Sequence, residues 1–172
     1  MQWSQIVRKP FEDIIYRVVC NRYGLTVAVG SQVTPEGGKQ FWLLKLDERG
    51  RVVIDKQLGG YGFEELLGVD VCQDGGIVMV GYSEYLDLNY PGTRGLRDIW
   101  VVRTDAQGNL LWMKSFGGPA TEMGIDVMEF EPGIIKVLCQ KANTFGADRY
   151  ANTGQDCWVM TISDQPCREV QL

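Results

Sequence analysis

Along FWLLKL, Trp42, Leu44 and Leu46 alternate with Phe41, Leu43 and Lys45; along IWVVRT, Trp100 and Val102 alternate with Ile99 and Val101. Both faces of each strand are largely apolar. An antiparallel sheet with one wet face alternates apolar with polar residues, so these strands belong to sheets covered on both sides. FWLLKL and RVVIDKQL flank DERG, while IWVVRT and NLLWMKSF flank DAQG, each with the leading Asp and closing Gly of a tight hairpin. LLGVDVC and GIVMVGY then flank QDGG, and MGIDVMEF and GIIKVLC flank EPG. Gly, at 21 residues, beside abundant Val, Ile, Trp and Tyr predicts short strands joined by turns, hence an all-β chain.

The pattern recurs. Trp42, Trp100 and Trp158 stand 58 residues apart; Asp47 matches Asp105, Gly50 matches Gly108, Gly59-Gly60 matches Gly117-Gly118, and Asp98 matches Asp156. LLGVDV and EMGIDV align Gly68 with Gly124 and Asp70 with Asp126, and FEDIIYRVVC laid on FEELLGVDVC brings Phe11 to Phe63 and Cys20 to the place of Cys72. The chain therefore reads as one repeat domain over 1–172: an extra N-terminal strand, 3–7, and three four-stranded antiparallel units at about 11–58, 63–116 and 121–172. Four strands per unit with both faces covered describe β-propeller blades, so the expected fold is β-propeller-like.

The phrase D-x-W-V-V-x-x-D-x-x-G-x-L-x-W-x-x-x-x-G-G, legible from Asp98 to Gly118, resembles the Trp/Asp/Gly-rich blades of bacterial propeller proteins. EELLGVDVCQDGGIVMVGY is similar to the segment that follows in those blades. The resemblance implies a propeller fold and a surface or secreted setting, and says little of function because its motifs are structural. The third unit departs from the pattern, ending in MTISDQPCREVQL without the Gly, the Trp or the Gly-Gly, and no Asp precedes Trp42.

Charge and cysteine content narrow the chemistry. A net charge of −5 without a Lys/Arg cluster argues against a nucleic-acid partner. No stretch reaches the roughly eighteen apolar residues of a membrane helix, and the N-terminus lacks the order of a signal peptide, so no membrane span is expected. Cys20, Cys72, Cys139, Cys157 and Cys167 form no CxxC, and there is no His, which removes the usual zinc sites and His-based catalytic pairs. The cysteines read as small buried hydrophobes in a reducing compartment, which favours a cytoplasmic setting over the one implied by the resemblance.

Three blades fall short of the about four to eight that close a ring. The uncovered faces call for a second chain, a larger parent propeller or a partner subunit; a homodimer with strand exchange is the favoured arrangement. Ligand contacts are expected on the two long connections between second and third strands, where Tyr85, Asp87, Asn89, Tyr90, Arg94 and Arg97, and Asp148, Arg149, Tyr150 and Asn152, suit a glycan or protein segment. The competing reading is that these loops only cap the ends. Asp98 and Asp156 read as acceptors for backbone N–H groups rather than cation ligands, Trp42, Trp100 and Trp158 as packing between units, and Gly59, Gly60, Gly117 and Gly118 as turns. DLN at Asp87–Asn89 lacks the remaining residues of a calcium loop, so neither metal nor cofactor is expected. The functional expectation is a non-catalytic binding or assembly module. A carboxylate-based hydrolase or lyase, and a structural subunit of a larger complex, are the alternatives.

Overall fold

The structure, a computed structural model, describes residues 7, 12–21, 25–59, 62–84, 97–142 and 155–164. Within them the chain is all-β: β1 (Asp13–Cys20), β2 (Thr26–Val33), β3 (Lys39–Leu46), β4 (Val52–Leu58), β5 (Phe63–Val71), β6 (Ile77–Glu84), β7 (Asp98–Thr104), β8 (Leu110–Phe116), β9 (Thr121–Glu131), β10 (Ile134–Ala142) and β11 (Gln155–Ser163). No described residue is helical, so none belongs to a helix long and apolar enough to cross a membrane.

Three antiparallel meanders follow one another: β1 to β4, β5 to β8, and β9 to β11. One parallel pairing, Lys39 with Phe63, joins the first two into an eight-stranded sheet, while the third forms a three-stranded sheet of its own. A fourth strand for the third meander, and the expected strand at 3–7 apart from Val7, lie outside the described residues.

Local chemistry builds the hairpins. In DERG the Asp47 carboxylate accepts the N–H groups of Arg49 and Arg51, and in DAQG the Asp105 carboxylate accepts those of Gln107 and Asn109, all at 2.8–2.9 Å. These bonds hold both carboxyls below the usual carboxylate range. Gly50 and Gly108 take the left-handed conformation at φ 76° and 73°, where a Cβ would be strained.

The meanders stack face to face. β5 lies across β1, β2 and β3, and β9 lies across β5, β6 and β7. Val27, Val29, Phe41 and Leu43 of the first meander form one core with Leu66, Val69, Met79 and Val102 of the second. The opposite face of the second, with Val78, Val80, Ile99 and Val101, forms another core with Val127, Ile135, Val137 and Ile162 of the third. Each buried aliphatic side chain is worth about 1.5–3 kcal/mol, so these two interfaces are the main source of cohesion.

Strand pairing corrects two of the sequence alignments. Cys20 does not share a place with Cys72: Cys20 pairs with Thr26 inside β1, whereas the N–H of Cys72 bonds Gly76 in a turn, as that of Asn21 bonds Leu25. Gly68 pairs with Val80 and Asp126 with Leu138, so Asp126, rather than Gly124, stands at the repeat position of Gly68. The bulges at Ile15/Arg17 in β1, Leu66/Gly68 in β5 and Leu138/Cys139 between β9 and β10 fall at one repeat position and leave the offset between meanders unchanged; both slips come from short stretches of like residues matched one or two positions out of register. The cysteines also divide: Cys72 and Cys139 are buried, but Cys20 and Cys157 are exposed.

Candidate functional site

The linkers between meanders and the bases of the long connections gather at one end of the strands. Here Glu64 and Glu122, 58 residues apart, are both buried. A Cβ at Gly59, which has φ 119°, would overlap the Glu64 carboxylate, and one at Gly117 would overlap that of Asp98. Gly118 N–H donates to Glu122 Oε2 at 3.2 Å, and Lys141 Nζ stands 3.6 Å from Glu122 Oε1. Buried carboxylates thus lie against the linkers and fix where one meander hands over to the next. Sequence reading missed Glu64 and Glu122, although their offset equals that of the Trp residues.

Of the residues expected to bind a ligand, Arg97 is the one described, and it anchors a loop base. Its Nε bonds Glu84 Oε2 at 2.9 Å, its guanidinium lies 4.6 Å from the Tyr82 ring centre, and its carbonyl accepts the Glu122 N–H. Glu84 and Arg97 clamp the two ends of the connection between β6 and β7. Beside them Glu65 accepts Lys39 Nζ at 2.7 Å and the Tyr82 hydroxyl at 2.6 Å. Burial pushes the Glu65 carboxyl up, but these donors outweigh it and hold the group below its ordinary value; burial and Glu65 together raise Tyr82. Tyr85, Asp87, Asn89, Tyr90, Arg94, Asp148, Arg149, Tyr150, Asn152 and Gly60 lie outside the described residues.

At the opposite end a second polar node ties meanders together. Arg103, buried in β7, donates to both Asp74 oxygens at 2.7 and 2.8 Å and to Asp164 Oδ2 at 3.1 Å, while Trp112 Nε1 donates to Asp164 Oδ1. Asp164 follows β11, so this node links the second meander to the third. Lys45 and Lys56 reach the DAQG turn through the carbonyls of Ala106 and Gly108 and link the first to the second.

The repeated Trp residues occupy one position on the third strands, with different outcomes. Trp100 packs on the first core. Trp42 clusters with Ala28, Leu44 and Val7 and donates its indole N–H to Asp55 at 3.0 Å. Trp158 remains 37% exposed, and Asp156 is exposed beside it.

The other faces show the sharpest contrast. Val29, Val80 and Leu138 occupy one repeat position on the second strands, and Leu43, Val101 and Val159 one on the third strands, as their pairings show. The first two members of each set are fully buried under the following meander, whereas Leu138 is 41% and Val159 64% exposed. Leu138 and Val159 line a shallow concavity of about 220 Å³ with Met128, Lys136, Asp126 and Val127, and Phe130 lies exposed next to it. The polar margin is satisfied internally: Lys136 Nζ donates to Thr161 Oγ1 at 2.8 Å, and Arg17 of β1 bonds Asp126 at 2.8 Å. Chemically this is an exposed and largely apolar sheet face.

No described group of three or more Cys, Asp and Glu side chains is arranged to hold a metal ion. No family model and no curated protein matches the chain.

Proposed function

We propose that the chain is a non-catalytic assembly and binding module, a partial β-propeller that is completed by self-association through the open face of its third meander. The observation that carries this reading is Leu138 and Val159: both keep apolar side chains at positions where the other two meanders bury theirs under a neighbour. A contiguous exposed apolar patch on a sheet marks an interaction surface. The propeller reading draws support from three meanders in succession, the second and third each laying its first strand across the one before, and from the Arg17–Asp126 contact between the first strands of the outer two. The buried carboxylates support a non-catalytic role, since each lies against a linker or a turn-end partner. In this reading the long connections, clamped at one base by Glu84 and Arg97, present Tyr, Asp, Asn and Arg to a glycan or protein segment.

Light scattering behind size exclusion, over a range of concentrations, tests the assembly. The mass is expected to rise above that of one chain and to fall back in Leu138→Asp, because a buried charge opposes apolar docking. A single-chain mass at every concentration, or association indifferent to Leu138→Asp, would overturn the proposal.

A further inference from the structure

The repeat supplies two internal examples of what covers the face left open on the third meander. At both junctions the covering element is the first strand of the following meander, lying across three strands of the preceding one. On that strand two positions point back into the junction. In β5 they are Leu66 and Val69, both buried in the first core; in β9 they are Gly124 and Val127, also buried. In β1 they are Ile15 and Val18, paired with Gly30 and Ala28 as Leu66 and Val69 are paired with Gly81 and Met79. Among the described residues no meander precedes the first in the stack, and Ile15 is 43% and Val18 56% exposed.

The molecule therefore carries both halves of its own internal junction unmatched: a covering strand at β1 and a face to be covered on β9 to β11. Resting on the assembly reading above, we infer that the partner of the open face is β1 of a second copy of this chain, docked as β5 and β9 dock within it. Val18 of one copy lies over Leu138 and Val159 of the other. The contact is reciprocal. The bond between Arg17 and Asp126 holds β1 close to β9 in one chain, so a twofold axis beside that pair lets each copy offer its first strand and receive the other's at once. A closed pair of six meanders results, rather than a filament. Val7 remains over Ala28, Trp42 and Leu44, because the incoming face is met by β1.

Two charge variants and their mixture test this geometry. Val18→Asp and Val159→Asp alter side chains that are more than half exposed in the single chain, so each variant is expected to keep the wild-type circular dichroism and urea midpoint. Each is expected to weaken the two-chain species roughly 100-fold, since every junction then holds one charge in an apolar contact. An equimolar mixture is expected to recover two-chain particles at concentrations where neither variant alone forms them, because one junction of the mixed pair joins two unaltered faces. Misfolded variants would not produce that recovery. Association that survives Val18→Asp but not Val159→Asp would mean that two third meanders meet face to face; it would overturn the inference and leave the assembly reading standing. Failure of the mixture to associate, when wild type does, would overturn it as well. A wild-type mass of one chain at every concentration would remove both.

Discussion

Val101 on β7 and Val159 on β11 are the same residue at the same repeat position, one fully buried and the other 64% exposed. Their strands pair alike, and their immediate neighbours are similarly apolar. What differs is whether another meander follows. Burial in a stacked repeat is thus conferred by the next unit, and a side chain on the last face keeps the character of a core residue without the contacts of one.

The sharpest way to break this comparison is to truncate equivalent positions. Leu43→Ala, beneath the second meander, is expected to cost about 2–5 kcal/mol by urea denaturation, whereas Val159→Ala, measured where the chain is single, is expected to stay within about 0.5 kcal/mol. Equal losses would mean that the third face is covered after all.

The Arg103 node makes the second meander hold the third, and Arg103→Met is expected to cost about 1–3 kcal/mol, felt first as faster hydrogen exchange in β9 to β11. It also has a pH signature. Hydrogen bonds from Arg103 keep the Asp74 carboxyl below its ordinary value, so their stabilisation is present above about pH 4 and is lost as pH falls through the depressed value. Arg103→Met is expected to flatten that acid limb; an unchanged limb would place the coupling elsewhere.

Gly117→Ala tests the linker that precedes the third meander. A Cβ there overlaps Asp98, and a loss of about 1–3 kcal/mol is expected, concentrated in the junction between second and third meanders. The smallest effect is a labelling contrast between buried and exposed thiols. Burial pushes the thiol of Cys139 up to about 11 and that of Cys72 up to about 12, whereas Cys157 lies exposed on the open face. Brief alkylation near pH 8 followed by peptide mass mapping is expected to modify Cys157 and Cys20 and to spare Cys72 and Cys139.

Legibility followed range. The DERG and DAQG hairpins were readable because an Asp that caps its own turn and a Gly at positive φ act within five residues. The all-β character was readable because alternation and two-sided apolarity are properties of single strands. The Glu64 and Glu122 linker contacts were periodic and so available in principle, but a buried Glu carries no local signature that separates it from a solvated one. The places of Cys20 and Gly124 were misread because like residues, FEDIIYRVVC on FEELLGVDVC and LLGVDV on EMGIDV, match just as well one or two positions out of register, and only strand pairing fixes which residue faces which partner. The Arg103 node joins residues 29 positions apart within the second meander and 61 apart across to the third, and no local pattern announces it.

By itself the sequence determined the strands, their turns and the period at which they recur, since these depend on side-chain alternation and on the few residues that tolerate a tight turn. Tertiary structure alone decided which apolar faces are buried, which carboxylates lie against the linkers, and that apolar side chains of the first strand and the last face stay exposed. Those features depend on the order in which meanders stack, and in a stack the first and last units differ from the middle one by what stands beside them rather than by what they contain.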